Sequence, residues 1–369
     1  MESFFSVSCQ HDNAQDVILD CLQQLKSAPD HYNFGFVYAT DVMSSHYPEL
    51  IQQCKQTTGI EHWVGTLGIG IIAPQQEWYD LPAVSIMLAR FDVREFTMLP
   101  LLKNTDDLTS MKYSGEFFTN FGVIHGDPFN QQTQELIEDL QKQFDDTFLV
   151  GGLTSSRDKQ YQVSDEVFTG GVSGVIFSEN ISVLTNLSQG CNPVGAKHTI
   201  SHAKNNIVAV LDKEPALNVL MQDMKIAGKN ELQNRAGEIF IGLCIPGSDK
   251  SDYTVRNLVA VDFDQNVFAI NDYLTEGHQL IFCERNQQTA ADDMKQMLDK
   301  ISSRLEQTPK GGIYISCLAR GREQFGDHSE EVKMIHNALG DFPLTGFFAN
   351  GEIHHNKLYG YTGVLTLFT

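Results

Sequence analysis

One order of strands, helices and glycines recurs along this chain, and it limits the possible folds more than any other feature. The clearest copy has a strand at 121–124, a helix over 133–144, a second strand at 148–152 and a third at 172–177. Another copy has a strand at 313–315, a helix over 329–339, a second strand at 342–346 and a third at 361–365. A polar hairpin precedes the third strand of each copy. Such recurrence predicts duplicated structural units.

A fainter third copy begins at Phe34 and continues to Gly65. In two copies the glycine of the second strand follows that of the first by 30 residues (Gly35 to Gly65, Gly122 to Gly152), and in the third by 34 (Gly312 to Gly346). A second repeated element relates 183–190 to 268–277. Strands that alternate with helices predict an α/β fold, with mixed sheets flanked by helices and two related halves.

The length of 369 residues exceeds what one hydrophobic core usually serves, so about two domains are expected. A polar stretch at 228–231 follows a predicted helix and precedes a strand signal at 239–244, which favours a boundary there. The predicted organisation is a helical N-terminal extension over 1–30, one domain over 31–228 and a second over 229–369.

The charge balance restricts the class of partner. With 26 Lys and Arg against 47 Asp and Glu, the formal net charge is −21, which argues against nucleic acid or an anionic membrane as a partner. We expect a cytoplasmic protein, because no signal-like N-terminus or bilayer-length apolar segment is found. Seven scattered cysteines without a C-x-x-C pair disfavour a disulfide framework, a zinc finger and c-type haem attachment.

Arginines near strand ends are the first candidates for a binding site. Arg256, Arg285, Arg320 and Arg322 lie beside loops that follow strand signals in the second half. A guanidinium group matches a carboxylate in two parallel hydrogen bonds, so these residues are candidates for a carboxylate clamp. Ion pairing with local acids such as Glu284 is an equally simple explanation.

Glycines and cysteines supply weaker candidates. Gly151 and Gly152 form a turn whose backbone N–H groups could hold an anion, although a glycine pair also simply permits a tight turn. Cys191 and Cys317 lie at predicted strand ends, where a nucleophile could act. No neighbouring His–Asp pattern supplies a base, and a buried free cysteine commonly serves as a small hydrophobic residue.

The twelve histidines show no multi-histidine metal motif. Axial ligation of haem iron needs only one neutral imidazole in an apolar pocket, which local spacing does not reveal. His198 is the first candidate because it lies nearest the 190–195 glycine loop, and His202, His125 and His278 are the others. A structural or surface role is the simpler explanation for each.

Four motifs, taken together, resemble the FIST sensory module with its N-terminal and C-terminal halves. They are Leu187–Gly195, Ala269–Leu274, Gly346–Ile353 and Tyr359–Val364. The resemblance extends over nearly all of the chain from about His31, so that 31–228 would be FIST-N-like and 229–369 FIST-C-like. The Gly346–Ile353 motif is the most specific of the four.

The resemblance implies a sensor of small ligands in signal transduction, with no enzymatic activity. Amino acids are suggested ligands of the family, and an arginine clamp would suit them. Stand-alone bacterial members resemble nitric-oxide-sensing haemoproteins that control a histidine kinase in a two-component system. We therefore expect the chain to bind haem b, to sense nitric oxide and to act on a separate histidine kinase. We also consider a homo-oligomer. The alternatives are a carboxylate sensor and, in another class, a cysteine-dependent acyl or amide transferase using Cys191 or Cys317.

Overall fold

The computed structural model describes residues 3–29, 31–111, 118–144, 147–245 and 253–369. These residues form a mixed α/β structure, as predicted, and the chain divides into two compact units. Unit 1 consists of Met1–Ser188 and Lys295–Thr369, and unit 2 of Gln189–Met294. None of the described helices is long and apolar enough to cross a bilayer.

Unit 1 contains three repeats of one plan, an edge strand followed by helix, strand, helix, strand, hairpin and strand. The first repeat consists of β1 (Phe4–Gln10), α1 (Ala14–Lys26), β2 (Phe34–Thr40), α2 (Tyr47–Thr58), β3 (His62–Gly68), the hairpin strands β4 (Gly70–Ala73) and β5 (Gln76–Tyr79), and β6 (Ala83–Ala89). The second consists of β7 (Phe96–Leu102), α3 (Thr105–Ser110), β8 (Thr119–Gly126), α4 (Thr133–Gln143), β9 (Phe148–Leu153), the hairpin strands β10 (Gln162–Ser164) and β11 (Glu166–Phe168), and β12 (Val172–Ser178).

The third repeat begins with β13 (Val183–Ser188), and unit 2 is inserted directly after it. The elements of unit 2 are β14 (Asn192–Lys204), β15 (Ile207–Leu211), β16 (Glu214–Pro215), α5 (Ala216–Asp223), α6 (Lys229–Arg235), β17 (Ile239–Cys244), β18 (Tyr253–Asp262), β19 (Val267–Ile270) and β20 (Gln279–Glu284). Among its described strands, β14, β20, β17, β18, β19 and β15 pair antiparallel in that order. β15 also pairs with β14, which closes the sheet into a barrel.

After unit 2 the third repeat resumes. Helix α7 (Gln287–Ser302) crosses the division between the units, and it is followed by β21 (Gly311–Cys317), α8 (Arg322–Phe325), α9 (Glu330–Leu339), β22 (Leu344–Ala349), the hairpin strands β23 (Glu352–His354) and β24 (Lys357–Tyr359), and β25 (Gly363–Phe368). The repeats predicted from the sequence are therefore confirmed, and the faint copy at Phe34 is a complete repeat.

Each repeat gives its hairpin to the sheet of another repeat. The sheet of the first repeat, in the order β1-β6-β2-β3, is extended by β10 and β11 of the second. The sheet of the second is extended by β23 and β24 of the third, and the sheet of the third by β4 and β5 of the first. The exchange is cyclic, so no repeat completes its sheet from its own residues.

The three sheets of unit 1 share one apolar core. Strands β2, β8 and β21 each run parallel to the next strand of their repeat and contribute buried residues on alternate positions, such as Phe36, Val123 and Ile313. Unit 2 has a separate core inside its barrel, with Phe268 and Phe282 at its centre.

The predicted segments fall on the fold as follows. Residues 1–30 include β1 and α1, and β1 pairs with β6 of the first repeat. Gly228 lies inside unit 2, directly before α6. The predicted boundary at 228/229 separates two related segments of sequence. The compact units are set apart by the inserted barrel and do not test this boundary, so it stays a prediction. The two similar segments at 183–190 and 268–277 lie in different sheets, with β13 beside β25 and β19 in the barrel.

Candidate functional site

The connection from β21 to α9 lies at the carboxyl end of a buried parallel strand, where α/β sheets form ligand crevices. It holds two of the predicted arginines, Arg320 and Arg322. The hairpin β4–β5 of the first repeat packs against this connection and against α9, and contributes Glu77, Tyr79 and Asp80. The candidate site is therefore shared by two repeats of unit 1.

Arg320 forms a buried hub rather than an open clamp. Its side chain is 0% exposed, and its Nε lies 2.7 Å from Oε1 of Glu331, which is equally buried. Its Nη2 lies 3.2 Å from Oγ of Ser188. The remaining lone pairs of Glu331 accept hydrogen bonds from Oη of Tyr314 at 2.6 Å and from the N–H of Gly321 at 2.8 Å. A buried ion pair satisfied in this way fixes one local geometry and leaves no donor for a ligand.

Arg322 is the half-exposed arginine of the pair, with 38% of its side chain accessible. It lines a cleft of about 220 Å³ together with Glu77, Trp78, Tyr79 and Ser329. The guanidinium carbon lies 4.6 Å from the centroid of the Tyr79 ring, and Nη2 lies 2.8 Å from Oδ2 of Asp80. We call this space the Arg322 cleft. It offers a cation, an aromatic wall and acceptors in one place.

Glu77 is the buried acid of the Arg322 cleft. Its Oε1 accepts the N–H of Val332 at 3.1 Å, and its Oε2 accepts Oη–H of Tyr79 at 2.9 Å. Its own N–H donates to Oγ of Ser329 at 2.9 Å. Burial raises the pKa of Glu77, and the nearby carboxylate of Glu331 raises it further. The acid is thus held at the N-terminal turn of α9, in the lining of the Arg322 cleft.

Alternating charges extend from the Arg322 cleft to the other repeats. Asp80 binds Arg322 on one side and Nη1 of Arg157 at 3.0 Å on the other. Arg157 follows β9 and also donates to the buried carboxylate of Asp41. Its Nε and Nη2 each lie 2.7 Å from a carboxylate oxygen. The hydrogen bond from Arg322 holds the pKa of Asp80 below its usual value. The series Asp41, Arg157, Asp80 and Arg322 therefore links all three repeats.

The other two predicted arginines belong to unit 2. Nε of Arg256 lies 2.7 Å from Oδ2 of Asp272, and the guanidinium of Arg285 lies 5.8 Å from the centroid of the Phe240 ring. For Arg256 and Arg320, ion pairing with a nearby acid is what the geometry shows. The four arginines are divided between two compact units, two in each.

Gly151 and Gly152 lie within β9, where they allow close packing. A Cβ on Gly151 would stand 1.8 Å from the carbonyl oxygen of Ile124, and one on Gly152 would stand 2.7 Å from Cβ of Ala349. Gly65 and Gly346 make the same close approach to β2 and β21. The equivalent of these glycines in the second repeat is therefore Gly151, not Gly152 as predicted. The matching spacing from Gly122 is one residue shorter than the 30 residues counted to Gly152.

The predicted cysteines are enclosed. Cys191 is buried, and its carbonyl oxygen accepts Oη–H of Tyr253 at 2.9 Å. Burial raises the pKa of Cys317, and the nearby carboxyl of Glu352 raises it further. A raised pKa suppresses the thiolate that a nucleophile requires. In the described part of the chain no group of three or more His, Cys, Asp or Glu residues converges as a metal site would require.

The candidate haem ligands do not fit an axial role as they are placed. His198 lies between two acids, with Nδ1 2.6 Å from Oδ2 of Asp212 and Nε2 2.9 Å from Oδ2 of Asp223. Burial opposes protonation of this ring, but the hydrogen bonds and charges of Asp223 and Asp212 outweigh it and raise the pKa of His198. Axial ligation needs a neutral ring with a free nitrogen.

The other three candidate histidines fit an axial role no better. His202 is exposed and bonds through Nδ1 to Oε1 of Glu276 at 2.7 Å, and His278 is an exposed residue of a turn. His125 is fully buried, with Nε2 3.1 Å from Oη of Tyr38, and burial lowers its pKa to about 3. Its ring is neutral, but it is packed against Tyr38 and Phe347 within the core.

Sequence reasoning found Arg322 but missed Glu77, Asp80 and Arg157. Arg157 follows the Gly151–Ser156 turn directly, so its position after a buried strand was a usable signal. Glu77 and Asp80 lie more than 240 residues from Arg322 and reach it only through the exchanged hairpin, which no local pattern indicates. The residues of the Arg322 cleft are therefore a product of tertiary structure.

Comparisons with known proteins match the chain in two adjoining segments. The family model described as FIST N domain matches residues 33–214, and that described as FIST C domain matches 216–355. Uncharacterized protein Rv0628c of Mycobacterium tuberculosis (strain ATCC 25618 / H37Rv) is 28% identical over 322 residues, 83% of each chain. Uncharacterized protein Mb0898c of Mycobacterium bovis is 27% identical over 320 residues, 83% of this chain and 82% of the relative. Glu77 and Asp80 lie in the first matched segment, and Arg322 in the second.

Proposed function

Because the chain carries a FIST N domain followed by a FIST C domain and is thus a FIST sensory-domain protein, we propose that it senses a small carboxylate ligand in the Arg322 cleft. Amino acids are the first class to test. The observation that carries the proposal is the accessible guanidinium of Arg322, whose ion pair with Asp80 a ligand carboxylate can replace.

The lining of the Arg322 cleft suits a ligand that bears both charges. Arg322 offers parallel N–H donors for a carboxylate, while Asp327 supplies an acid for an ammonium group. Trp78 and Tyr79 provide apolar surface for a side chain. The volume of about 220 Å³ equals roughly seven water molecules, which limits the ligand to the size of a small amino acid.

A ligand bound in this way changes the ion pairs between repeats. When a ligand carboxylate binds Arg322, the remaining ion pair of Asp80 is the one with Arg157. Arg157 also forms an ion pair with Asp41 of the first repeat. The bound and free states then differ in the contacts between repeats, which is the condition for a ligand to shift a conformational equilibrium. The partner that reads this difference is, as the resemblance implies, a separate signalling protein such as a histidine kinase.

Thermal-shift screening followed by calorimetry tests the proposal. A panel of amino acids is compared with simple carboxylates, and a ligand at 100 times its dissociation constant adds about 2.7 kcal/mol to the free energy of unfolding. Arg322→Gln removes a charged hydrogen bond worth about 1.5–3 kcal/mol, so we expect at least about tenfold weaker binding. Asp80→Asn weakens the competing ion pair and is expected to tighten binding.

Arg304→Gln is the matched control, since it makes the same change at an exposed position outside the Arg322 cleft. It should leave the affinity unchanged. A panel in which no carboxylate raises the unfolding temperature would contradict the proposal. So would equal affinities of the wild type and the Arg322→Gln variant.

Haem binding, nitric-oxide sensing and cysteine-dependent catalysis stay predictions. The haem hypothesis is supported by the resemblance alone, and Soret absorbance of protein made in haem-replete cells tests it directly. For the enzyme hypothesis, the enclosure of Cys191 and Cys317 favours slow, uniform alkylation of the thiols. One thiol that reacts faster than the rest would support it instead.

A further inference from the structure

The connection from β5 to β6 begins with a tight turn in a strained conformation. Asp80 at its centre has a φ of +60°, in a region that residues with a side chain adopt rarely. The N–H of Leu81 donates to the carbonyl oxygen of Tyr79 at 2.8 Å. A three-residue turn closed by this bond around a residue with positive φ is a γ-turn of the rare, strained kind. We call Tyr79–Leu81 the Asp80 turn.

Both ends of the Asp80 turn are fixed to the rest of unit 1. Tyr79 is the last residue of β5, and its ring packs on that of Phe348 with centroids 4.8 Å apart. The carbonyl oxygen of Leu81 accepts Oγ1–H of buried Thr40 at 2.7 Å, and the same Oγ1 accepts the N–H of Ala83 at 3.0 Å. A change in the turn is therefore confined to Asp80 and the side chain of Leu81.

Two arginines from the other repeats hold the carboxylate of Asp80. Nη2 of Arg322 lies 2.8 Å from its Oδ2, and Nη1 of Arg157 lies 3.0 Å from its Oδ1. Packing contributes less to the turn, because 44% of the Asp80 side chain is accessible and Leu81 is 43% exposed. The two ion pairs are therefore the main restraint that opposes the backbone strain.

The strain of the Asp80 turn bears directly on the Arg322 cleft. Asp80 occupies an N–H donor of Arg322 that a ligand carboxylate would use, and Leu81 belongs to the lining of the cleft. Strain that is released when Asp80 leaves Arg322 subtracts from the free energy of that ion pair. Asp80 is thus an internal carboxylate that competes for Arg322 but is weakened by the backbone on which it stands.

From these contacts we infer that the Asp80 turn is a strained latch, which Arg322 holds closed in the free protein and a carboxylate bound to Arg322 releases. On release the turn relaxes, and the side chain of Leu81 moves. The release by a ligand rests on the proposed function, whereas the latch itself is a property of the free chain. The two states then differ at one exposed apolar residue beside the cleft, which is a difference that a partner can read.

Two substitutions of Asp80 test the latch without any ligand. Asp80→Gly and Asp80→Ala remove the same carboxylate, but only glycine adopts positive φ without strain. If the ion pairs hold the turn, it relaxes in both variants. We then expect the alanine variant to unfold at an equal or higher urea concentration, because glycine is the more flexible residue in the unfolded chain.

Gly59→Ala is the control for these two variants. Gly59 has a φ of +70°, and no heavy atom lies within 4 Å of an added Cβ, so its replacement measures how far positive φ alone destabilises alanine in this chain. If Asp80→Gly exceeds Asp80→Ala in stability by a similar amount, the turn keeps its shape without the ion pairs. That result would overturn the latch.

Hydrogen exchange of the full chain measures opening of the latch at the N–H of Leu81. Pro82 has no N–H, so residues 80–82 contribute only the amides of Asp80 and Leu81. Arg322→Gln removes one of the two ion pairs that hold Asp80, and we expect exchange there to become roughly two- to fivefold faster, as for loss of a partly exposed ion pair. Arg304→Gln should leave it unchanged. Equal exchange in the wild type and the Arg322→Gln variant would overturn the latch.

The outcomes separate the latch from the proposed function. A panel in which no carboxylate binds, together with the expected behaviour of the Asp80 and Arg322 variants, would contradict only the proposed function. A carboxylate that binds through Arg322 without changing exchange at Leu81 would overturn the latch and leave the proposed function intact.

Discussion

The buried acids of unit 1 differ in what compensates their charge. Glu331 has the guanidinium of Arg320, whereas Glu352 in β23 accepts the N–H of Thr362 at 3.0 Å and its Oγ1–H at 2.8 Å. Glu352 is fully buried, and burial raises its pKa to about 8 despite these bonds. At neutral pH its protonated form is therefore favoured in the folded state.

The raised pKa of Glu352 predicts how the free energy of unfolding depends on pH. The folded state keeps the proton of Glu352 between pH 4.5 and about 8, while the unfolded state releases it. The group therefore lowers the free energy of unfolding as the pH rises through this window, by up to about 1.4 kcal/mol per pH unit. Glu352→Gln cannot lose a proton, so we expect it to gain stability relative to the wild type at pH 8 compared with pH 5. Urea unfolding at both pH values measures this, and an equal difference at the two would contradict it.

At the level of elements, strand and helix positions were predictable because local patterns determine them. The predicted helices over 133–144 and 329–339 correspond to α4 and α9 within one residue at each end. Ser329 stands at the N-cap position of α9, but it has a left-handed backbone, and its Oγ accepts the N–H of Glu77 rather than an N–H of the helix. The exchange of hairpins was not predictable, because strands such as β4 and β22 pair across more than 270 residues.

The close contact between the parallel strands β21 and β22 leads to a prediction for Gly346. A Cβ there would stand 1.7 Å from the carbonyl oxygen of Tyr314, so β22 and β21 would have to separate. We expect Gly346→Ala to lower the free energy of unfolding by about 1–3 kcal/mol or more, as overpacking does. Gly360→Ala in the same repeat is the control, since no heavy atom lies within 4 Å of its added Cβ. Similar unfolding midpoints in urea for both variants would argue against the strand-contact explanation.

At the level of the whole molecule, unit 2 is an insertion into the third repeat. Its barrel closes through the pairing of β14 with β15, and its core residues all belong to it. The sequence favoured two domains but placed their boundary between consecutive segments, because an inserted domain leaves no local mark where the outer chain resumes. The acidic net charge was readable from composition, whereas the Arg322 cleft required the fold.

Insertion predicts that unit 2 folds by itself. A polypeptide of residues 189–294 contains every strand of the barrel and its apolar core, so we expect β-type circular dichroism and a cooperative thermal transition. The same protein with Phe268→Ala should unfold at lower temperature, since truncating a buried phenylalanine costs about 3–5 kcal/mol. A non-cooperative transition in the unaltered polypeptide would contradict independent folding.

The cyclic exchange of hairpins also has a consequence for biosynthesis. Ile72 of the first hairpin pairs with Gly346, so the ribosome must add 274 further residues before the partner strand exists. At about 5–20 residues per second, this interval lasts roughly 15–55 s. During that time an apolar strand edge waits without its partner on the nascent chain. Completion of unit 1 is therefore a late event in translation, and a nascent chain stalled before β22 is a natural target for chaperones.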